Sequence, residues 1–357
     1  MPRVPRPGAD LPARPDAAGL VDRFGRVATD LRVSVTDKCN LRCTYCMPAE
    51  GVRFMPSAQL LAADELVRLV DVGARLLGVR ELRLTGGEPL VRRDLEAIVG
   101  GVRERHADLP ISMTTNGIGL AARVPGLVDA GLTRLNVSLD TLRPERFRQI
   151  TRRDGLDDVL AGIAAARDAG LTPVKVNTVL LPGINDDEAP DLVTWALHEG
   201  LQPRFIEQMP LGGARDWSPD SMVSAERTRE LVAQRFSLTP HRAPRAGAPA
   251  ERWDLWPLGA AEEGESLGTV GIIASVTEPF CRDCTRTRVT AEGRVRSCLF
   301  SHEETDLRAL LRDPQVSDEQ VAERWREAMW AKPRAHGEDE GGAGIRQPER
   351  TMSAIGG

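Results

Sequence analysis

Between Leu31 and Met209 the sequence alternates six times between short apolar runs and longer stretches of helical spacing. The strand candidates are Leu31–Val35, Leu82–Gly86, Ile111–Thr115, Arg134–Leu139, Val174–Leu180 and Arg204–Met209. Between them lie amphipathic stretches such as "DELVRLVDVGARLLG", in which Leu66, Leu69, Val70, Gly73, Leu76 and Leu77 keep one face. "RDLEAIVGGVRERH", "LDDVLAGIAAARDAG" and "DEAPDLVTWALHEG" read the same way. Strand–helix alternation of this kind builds a parallel α/β sheet. Six units are fewer than a closed barrel needs, which leaves an open partial barrel or a doubly wound sheet.

The pattern changes after about Ser237. A loop-rich stretch, "TPHRAPRAGAPAERWDLWPLGAAEEGESLG", precedes the strand candidates "TVGIIASVT" and "TRVTAEGRVRSCLF", the latter a pair joined at "AEGR". Two helical patterns follow, "ETDLRALLRD" and "SDEQVAERWREAMW". The expected organisation is a disordered Pro-rich arm over 1–20, an α/β unit over 21–235, a C-terminal region over 236–330 and a polar, Gly-rich tail over 331–357. The N-terminus lacks the apolar core of a secretory signal, and no stretch approaches the ~20 apolar residues of a membrane span. A cytoplasmic protein without membrane contact is expected. The net charge of −5 and the 4% aromatic content offer neither the basic surface nor the stacking platforms of a nucleic-acid binder.

All six cysteines fall in two groups of three, Cys39, Cys43, Cys46 and Cys281, Cys284, Cys298. A disulfide framework does not suit a chain of this size without an export signal. A structural zinc site normally takes four ligands, and each group is one short. Three thiolates suit a 4Fe–4S cluster, leaving one iron open to a small molecule. The first group directly follows the first strand candidate, where α/β folds build active sites. Zinc remains the competing reading, nearer for the second group, whose C-x-x-C and hairpin open like a zinc ribbon. Arg286 and Arg288 follow Cys284 at strand spacing and share one face. Paired guanidiniums beside a metal site suit a phosphate-bearing ligand; the alternative is a solvated, charged strand.

The C-x-x-x-C-x-x-C spacing, with Tyr45 before the last cysteine, resembles the radical S-adenosylmethionine (SAM) superfamily. So does "TGGEP" (Thr85–Pro89) after the second strand candidate. Together with "LRVSVTDKCNLRCTYCMP", "MTTNG", "LNVSLDTL", "VKVNTVLLPGIND", "RFIEQMP", "FCRDCTRTRVTAEGRVRSCLF" and the terminal "MSAIGG", these motifs are similar to the GTP 3′,8-cyclase family from about Leu20 onward. The match weakens over 240–265.

That resemblance implies a partial (β/α)6 TIM-type barrel with a C-terminal α+β extension closing its mouth. It implies two 4Fe–4S clusters, with SAM on the first and GTP on the second. The reaction it implies is that of a lyase opening molybdenum-cofactor biosynthesis. A 5′-deoxyadenosyl radical takes the ribose 3′ hydrogen, and the 3′ radical attacks guanine carbon 8. Tyr45, Gly87, Ser138 and Met209 fall at SAM positions. Arg32, Arg83, Thr114, Lys175, Arg286, Thr287 and Arg288 fall at GTP positions. Arg32, Arg286, Arg288 and the terminal Gly356 and Gly357 fall at positions needed for activity. The implied partners are a reducing electron donor, a cyclic pyranopterin monophosphate synthase that consumes the product, and a second copy in a homodimer. Leu41 stands where the family often has an aromatic. Another radical SAM enzyme with an auxiliary cluster, such as a peptide maturase, would call for more C-terminal cysteines and a peptide-docking element. A non-enzymatic, zinc-stabilised interaction protein is the third reading.

Overall fold

In the computed structural model of the chain, residues 13–211, 217–245, 247–260, 265–335 and 350–355 are described. A short hairpin of β1 (Leu20–Val21) and β2 (Val27–Ala28) opens the chain. The six expected strands follow as β3 (Asp30–Ser34), β4 (Glu81–Thr85), β5 (Ile111–Thr115), β6 (Arg134–Ser138), β7 (Lys175–Val179) and β8 (Gln202–Ile206). Each pairs in parallel with the next. The C-terminal strands are β9 (Phe236–Pro240), β10 (Glu251–Pro257), β11 (Gly268–Ile273), β12 (Arg286–Val289), β13 (Arg294–Arg296) and β14 (Thr305–Asp306). They do not form a separate sheet. β11 adds to β8 in parallel, with β10 and β9 beyond it, while β12 adds to β3 in parallel, with β13 and β14 beyond. One open sheet of 12 strands results, with the partial barrel at its centre.

Helices cover the outer face. α1 (Ala63–Leu77) buries Leu66, Leu69, Val70, Gly73 and Leu77 of the expected stripe; Leu76 is only partly buried. It stops at Gly78, whose φ of 72° is left-handed. α2 (Leu95–Arg105), α5 (Leu156–Asp168), α6 (Ala189–His198), α8 (Arg308–Arg312) and α9 (Asp318–Trp330) match the helical patterns. α3 (Leu120–Asp129), α4 (Pro144–Thr151), α7 (Ala225–Ala233) and α10 (Met352–Ile355) were not expected. α3 carries Pro125 inside it, a residue that reads as a helix breaker. The cost of its missing donor is offset by burial of Leu120, Val124 and Leu127 against the core. The stretch expected as loop also needs correction. Its residues Glu251–Pro257 form β10, held between β11 and β9 by antiparallel pairing that local composition does not reveal.

Apolar residues from the inner faces of the helices and the strands form one large core, from Leu20 to Met329. Trp325 of α9 is fully buried against it. No helix of the described residues is long and apolar enough to cross a membrane.

Candidate active site: two cysteine cavities sharing a wall

Cys39, Cys43 and Cys46 lie in the loop after β3, and the chain folds that loop with its own backbone. The amides of Cys46 and Met47 both donate to the Cys43 carbonyl, at 3.0 Å each. Arg42 donates to the carbonyls of Cys39 and Leu41, at 2.7 and 2.8 Å. The glycines after β4 bring a second loop against the first. Gly87 N donates to Thr36 O at 2.8 Å and Glu88 N to Lys38 O at 2.7 Å. A Cβ on Gly86 would collide with the Thr36 carbonyl, and one on Gly87 with that of Lys38. The φ of Gly86, 143°, also favours glycine. The close approach expected of these glycines is thus first an approach to the cysteine loop.

The three cysteines share a cavity of about 1110 Å³, counting its open mouth, with Leu41, Tyr45, Gly87, Ser138 and Met209. Three carboxylates stand in or beside it. Tyr45 Oη donates to Asp140 Oδ2 at 2.8 Å, and the other Asp140 oxygen accepts from Val179 N. Glu88 accepts from Thr115 Oγ1 at 2.6 Å, Asn116 N at 2.7 Å and Leu90 N at 2.9 Å. Glu207 takes the amides of Ala225, Val276 and Thr277, tying the end of β8 to α7 and the loop after β11. Burial raises the Glu88 carboxyl to about 7 and that of Asp140 to about 6, despite these donors. Burial likewise pushes the Cys46 thiol to about 12, helped by Cys39 and against a backbone hydrogen bond from Ser353.

The second group closes a different cavity, of about 990 Å³ with its mouth, lined by Cys281, Cys284, Cys298, Arg32, Arg83, Thr114, Arg204, Arg286, Arg288 and Phe280 among others. Strand register sets its cations. Arg288 of β12 pairs with Arg32 of β3, which pairs with Arg83 of β4. Adjacent strands are ~4.8 Å apart, so the three guanidiniums form one row. Asp30 meets Arg32 at 3.5 Å. Burial alone would raise its carboxyl, but Arg32, Arg83, Arg286 and Arg288 outweigh that and hold it low. Burial lowers the pKa of Arg204 and Arg288 to about 10, reinforced by neighbouring arginines. Among the described residues, the buried Nε atoms of Arg32, Arg83, Arg204 and Arg286 have no hydrogen-bond partner. Such a set fits a polyanion with several acceptor oxygens. Burial would raise the Cys284 thiol too, yet Arg286 and Lys332 bring it down to about 6.

Thr114, Asn177, Ile206 and Met209 line both cavities, so ligands of the two groups would meet across one wall. The thiols are free of disulfides and half-buried. Among the described residues, no three His, Cys, Asp or Glu groups close on a single ion. Each triad lines one cavity, and three thiols to a cavity suit a multinuclear group with one open position better than a structural zinc, which takes four ligands.

Two expected contacts sit elsewhere. Lys175 does not line either cavity. Asn177, two residues on along β7, reaches both. Lys175 stays within the same field, and burial together with Arg204 and Arg83 lowers its ammonium to about 8. Thr287 is fully buried on the opposite face of β12 from Arg286 and Arg288, where its Oγ1 accepts from Trp325 Nε1 at 2.9 Å. Gly356 and Gly357 lie outside the described residues. The segment before them reaches the first cavity through Met352 and Ser353, and Arg350 anchors it to Glu292 and Glu304 at 2.5 and 2.7 Å. Sequence reasoning missed Asp30, Arg204, Asp140 and Phe280. Arg204 was within reach, since it shares the strand face of Ile206. Phe280, 4.6 Å from the Arg286 guanidinium, carried no signal.

Comparison with known proteins agrees with this architecture. Residues 33–196 match the Radical SAM superfamily model and residues 201–338 match Molybdenum Cofactor Synthesis C. The GTP 3′,8-cyclase of Paenarthrobacter nicotinovorans is 58% identical, over 97% of this chain and 99% of its own. That of Streptomyces coelicolor is 53% identical, over 97% and 98%. The crystal structure of Streptococcus suis SuiB bound to S-adenosylmethionine shares the fold, with a TM-score of 0.53 at 13% identity over 82% of this chain and 67% of that one. At such identity over its full length, the chain belongs to the GTP 3′,8-cyclase family of the radical SAM superfamily.

Proposed function

We propose that the chain converts GTP to 3′,8-cyclo-7,8-dihydro-GTP, the first step of molybdenum-cofactor biosynthesis. One observation carries this reading beyond family membership: two three-cysteine cavities share a wall, and only the second is ringed by arginines. Cys39, Cys43 and Cys46 would hold one 4Fe–4S cluster, and Cys281, Cys284 and Cys298 the other. When bound, the first cluster with SAM supplies the 5′-deoxyadenosyl radical, and the second supplies an open iron for the guanine.

The chain's own residues bind, orient and exclude water. Arg32, Arg83, Arg204, Arg286 and Arg288 take the triphosphate, and Asp30 keeps the row of cations from repelling itself when GTP is absent. Lys175 adds charge from the rim. Tyr45, fixed by Asp140, and Gly87, Ser138 and Met209 shape the SAM side. Asn177 and Thr114, on the shared wall, sit where the ribose would face the radical. Ile206 and Met209 keep that wall apolar, which protects a radical from side reactions with water. Thr287 supports the strand from behind. Gly356 and Gly357 would extend the docked segment into the first cavity. An electron donor, a downstream cyclic pyranopterin monophosphate synthase, a homodimer and a cytoplasmic location complete the proposal.

Anaerobic incubation with SAM, a reductant and GTP should yield 5′-deoxyadenosine and a cyclised nucleotide. SAM cleavage that leaves GTP untouched would keep the radical chemistry and end the substrate assignment.

A further inference from the structure

One cation serves the second cysteine group from outside its cavity. Lys332, two residues past α9, is only 3% exposed. Its Nζ lies 3.3 Å from Cys284 Sγ and donates to the Arg286 carbonyl at 2.8 Å. Cys284 lines the cavity and Lys332 does not. Among the described residues, Lys332 makes no ion pair with a carboxylate; the carbonyl and the sulfur are its polar partners. Burying an ammonium is unfavourable unless a negative group answers it. A carbonyl answers one of its three donors, and a neutral thiol is a weak acceptor. A thiolate supplies both the charge and the acceptor that this place lacks.

The contact is held in register from two sides. Trp325, on the helix that leads to Lys332, grips Thr287 of β12 at 2.9 Å. Arg26, from the hairpin at the start of the chain, donates to the carbonyls of Cys281, Pro333 and Arg334 at 2.7, 2.5 and 2.7 Å. The residues flanking Lys332 are therefore tied to the same segment that carries Cys281 and Cys284. The first group is served differently. Cys39 receives a neutral side-chain amide, Asn116 Nδ2, at 3.8 Å.

We infer that Lys332 is a positioning residue for the second centre: its ammonium donates to the Cys284 thiolate and makes the metal group held there easier to reduce. This rests on the reading that Cys281, Cys284 and Cys298 hold an iron–sulfur cluster. Hydrogen bonds and positive charge at a ligating sulfur stabilise the reduced, more negative form and raise the reduction potential. Among the described residues, the lysine thereby sets the second cluster apart from the first, where Arg42 acts on Cys39 through its charge and the side-chain donor to that sulfur is a neutral amide.

The test uses the full-length protein with Cys39, Cys43 and Cys46 replaced by Ala, so that the signal belongs to the second centre alone. Iron content and the midpoint potential, followed by electron paramagnetic resonance, are compared among that parent, Lys332→Met and Lys332→Arg. The expected result for Lys332→Met is a reduction equilibrium about tenfold less favourable, which is about 59 mV for a one-electron couple. Lys332→Arg should stay near the parent. Loss of iron in Lys332→Met that Lys332→Arg restores supports the same role. Full iron with an unchanged potential in Lys332→Met overturns the inference, as does an iron loss that Lys332→Arg fails to restore, which would assign the lysine to packing. A parent that takes up no iron overturns the cluster reading itself, and the inference with it.

Discussion

The two cysteine groups have the same ligand count and opposite surroundings. Around Cys39, Cys43 and Cys46 the buried ionisable neighbours include Tyr45, Glu88, Asp140 and Glu207, and burial drives the thiols upward. Around Cys281, Cys284 and Cys298 they are mostly cations, arginines and Lys332 with the single carboxylate Asp30 among those named, and Cys284 falls to about 6 although burial alone would raise it. The first cavity suits a ligand with a cationic centre, as SAM has. The second suits a polyanion. The difference teaches that three cysteines specify a metal group while the residues across the cavity decide what joins it.

Removing either triad should break the comparison most sharply. Replacing Cys281, Cys284 and Cys298 by Ala should halve iron and sulfide, abolish GTP cyclisation and leave reductive SAM cleavage in place. The same change at Cys39, Cys43 and Cys46 should also halve the iron but stop SAM cleavage. Loss of both activities in both variants would mean that the two sites do not divide the work.

Single cations come next. Arg288→Ala and Arg32→Ala should each lower kcat/KM for GTP by roughly 10²–10³, the usual cost of a buried charged donor aimed at a reacting ligand. Cluster content should be unchanged, and SAM cleavage should become uncoupled from cyclisation. Arg204→Ala, at the far side of the same cavity, should cost less, about tenfold, as for a single hydrogen bond to a charged group. Steady-state kinetics with iron quantification checks all three.

The pH responses of the two sites should fall in different windows. Lys175 has its ammonium lowered to about 8 in the free protein, and a neighbouring triphosphate would raise it again. GTP binding would then take up a proton above pH 8, so affinity falls as pH rises past 8, by at most about tenfold per pH unit. Calorimetry on Lys175→Arg should show a flatter profile. A slope that persists in the variant would take Lys175 out of the triphosphate field.

The smallest expected effect belongs to the first site. Glu88 has its carboxyl raised from 4.5 to about 7, so between these values the folded chain holds more protons than the unfolded one. Its contribution to stability is complete below about pH 4.5 and is lost as pH rises to 7. Urea titrations of the apoprotein should show this decline, and Glu88→Gln should flatten it. An unchanged slope would assign the pH dependence to other groups.

Much of this was legible along the chain. Five of the six central strands lie within a residue of their expected limits, and β8 ends at Ile206, three residues before the expected Met209, because short β-rich runs between turn signals mark buried strands, as Ile111–Thr115 shows. The triads were legible because ligand spacing is local. β10 was not, since Trp253 and Leu255 become a strand only through partners on either side. Nor was α3, where Pro125 argues locally against the helix that the core stabilises. The placement of Thr287 escaped for a related reason: β-strand alternation separates it from Arg286 and Arg288, but which face meets the cavity depends on α9 lying behind.

By itself the sequence determined the six-fold strand–helix alternation of the centre, the two groups of three thiols and the family to which they belong, because these are encoded within short windows of residues. Only the tertiary structure decided that β12 docks beside β3, aligning Arg288, Arg32 and Arg83 from distant parts of the chain. It also decided that the two cavities share Thr114, Asn177, Ile206 and Met209, and that Lys332 sits against Cys284. These are long-range pairings, fixed by sheet register and core packing, and they turn two similar cysteine motifs into two different electrostatic sites.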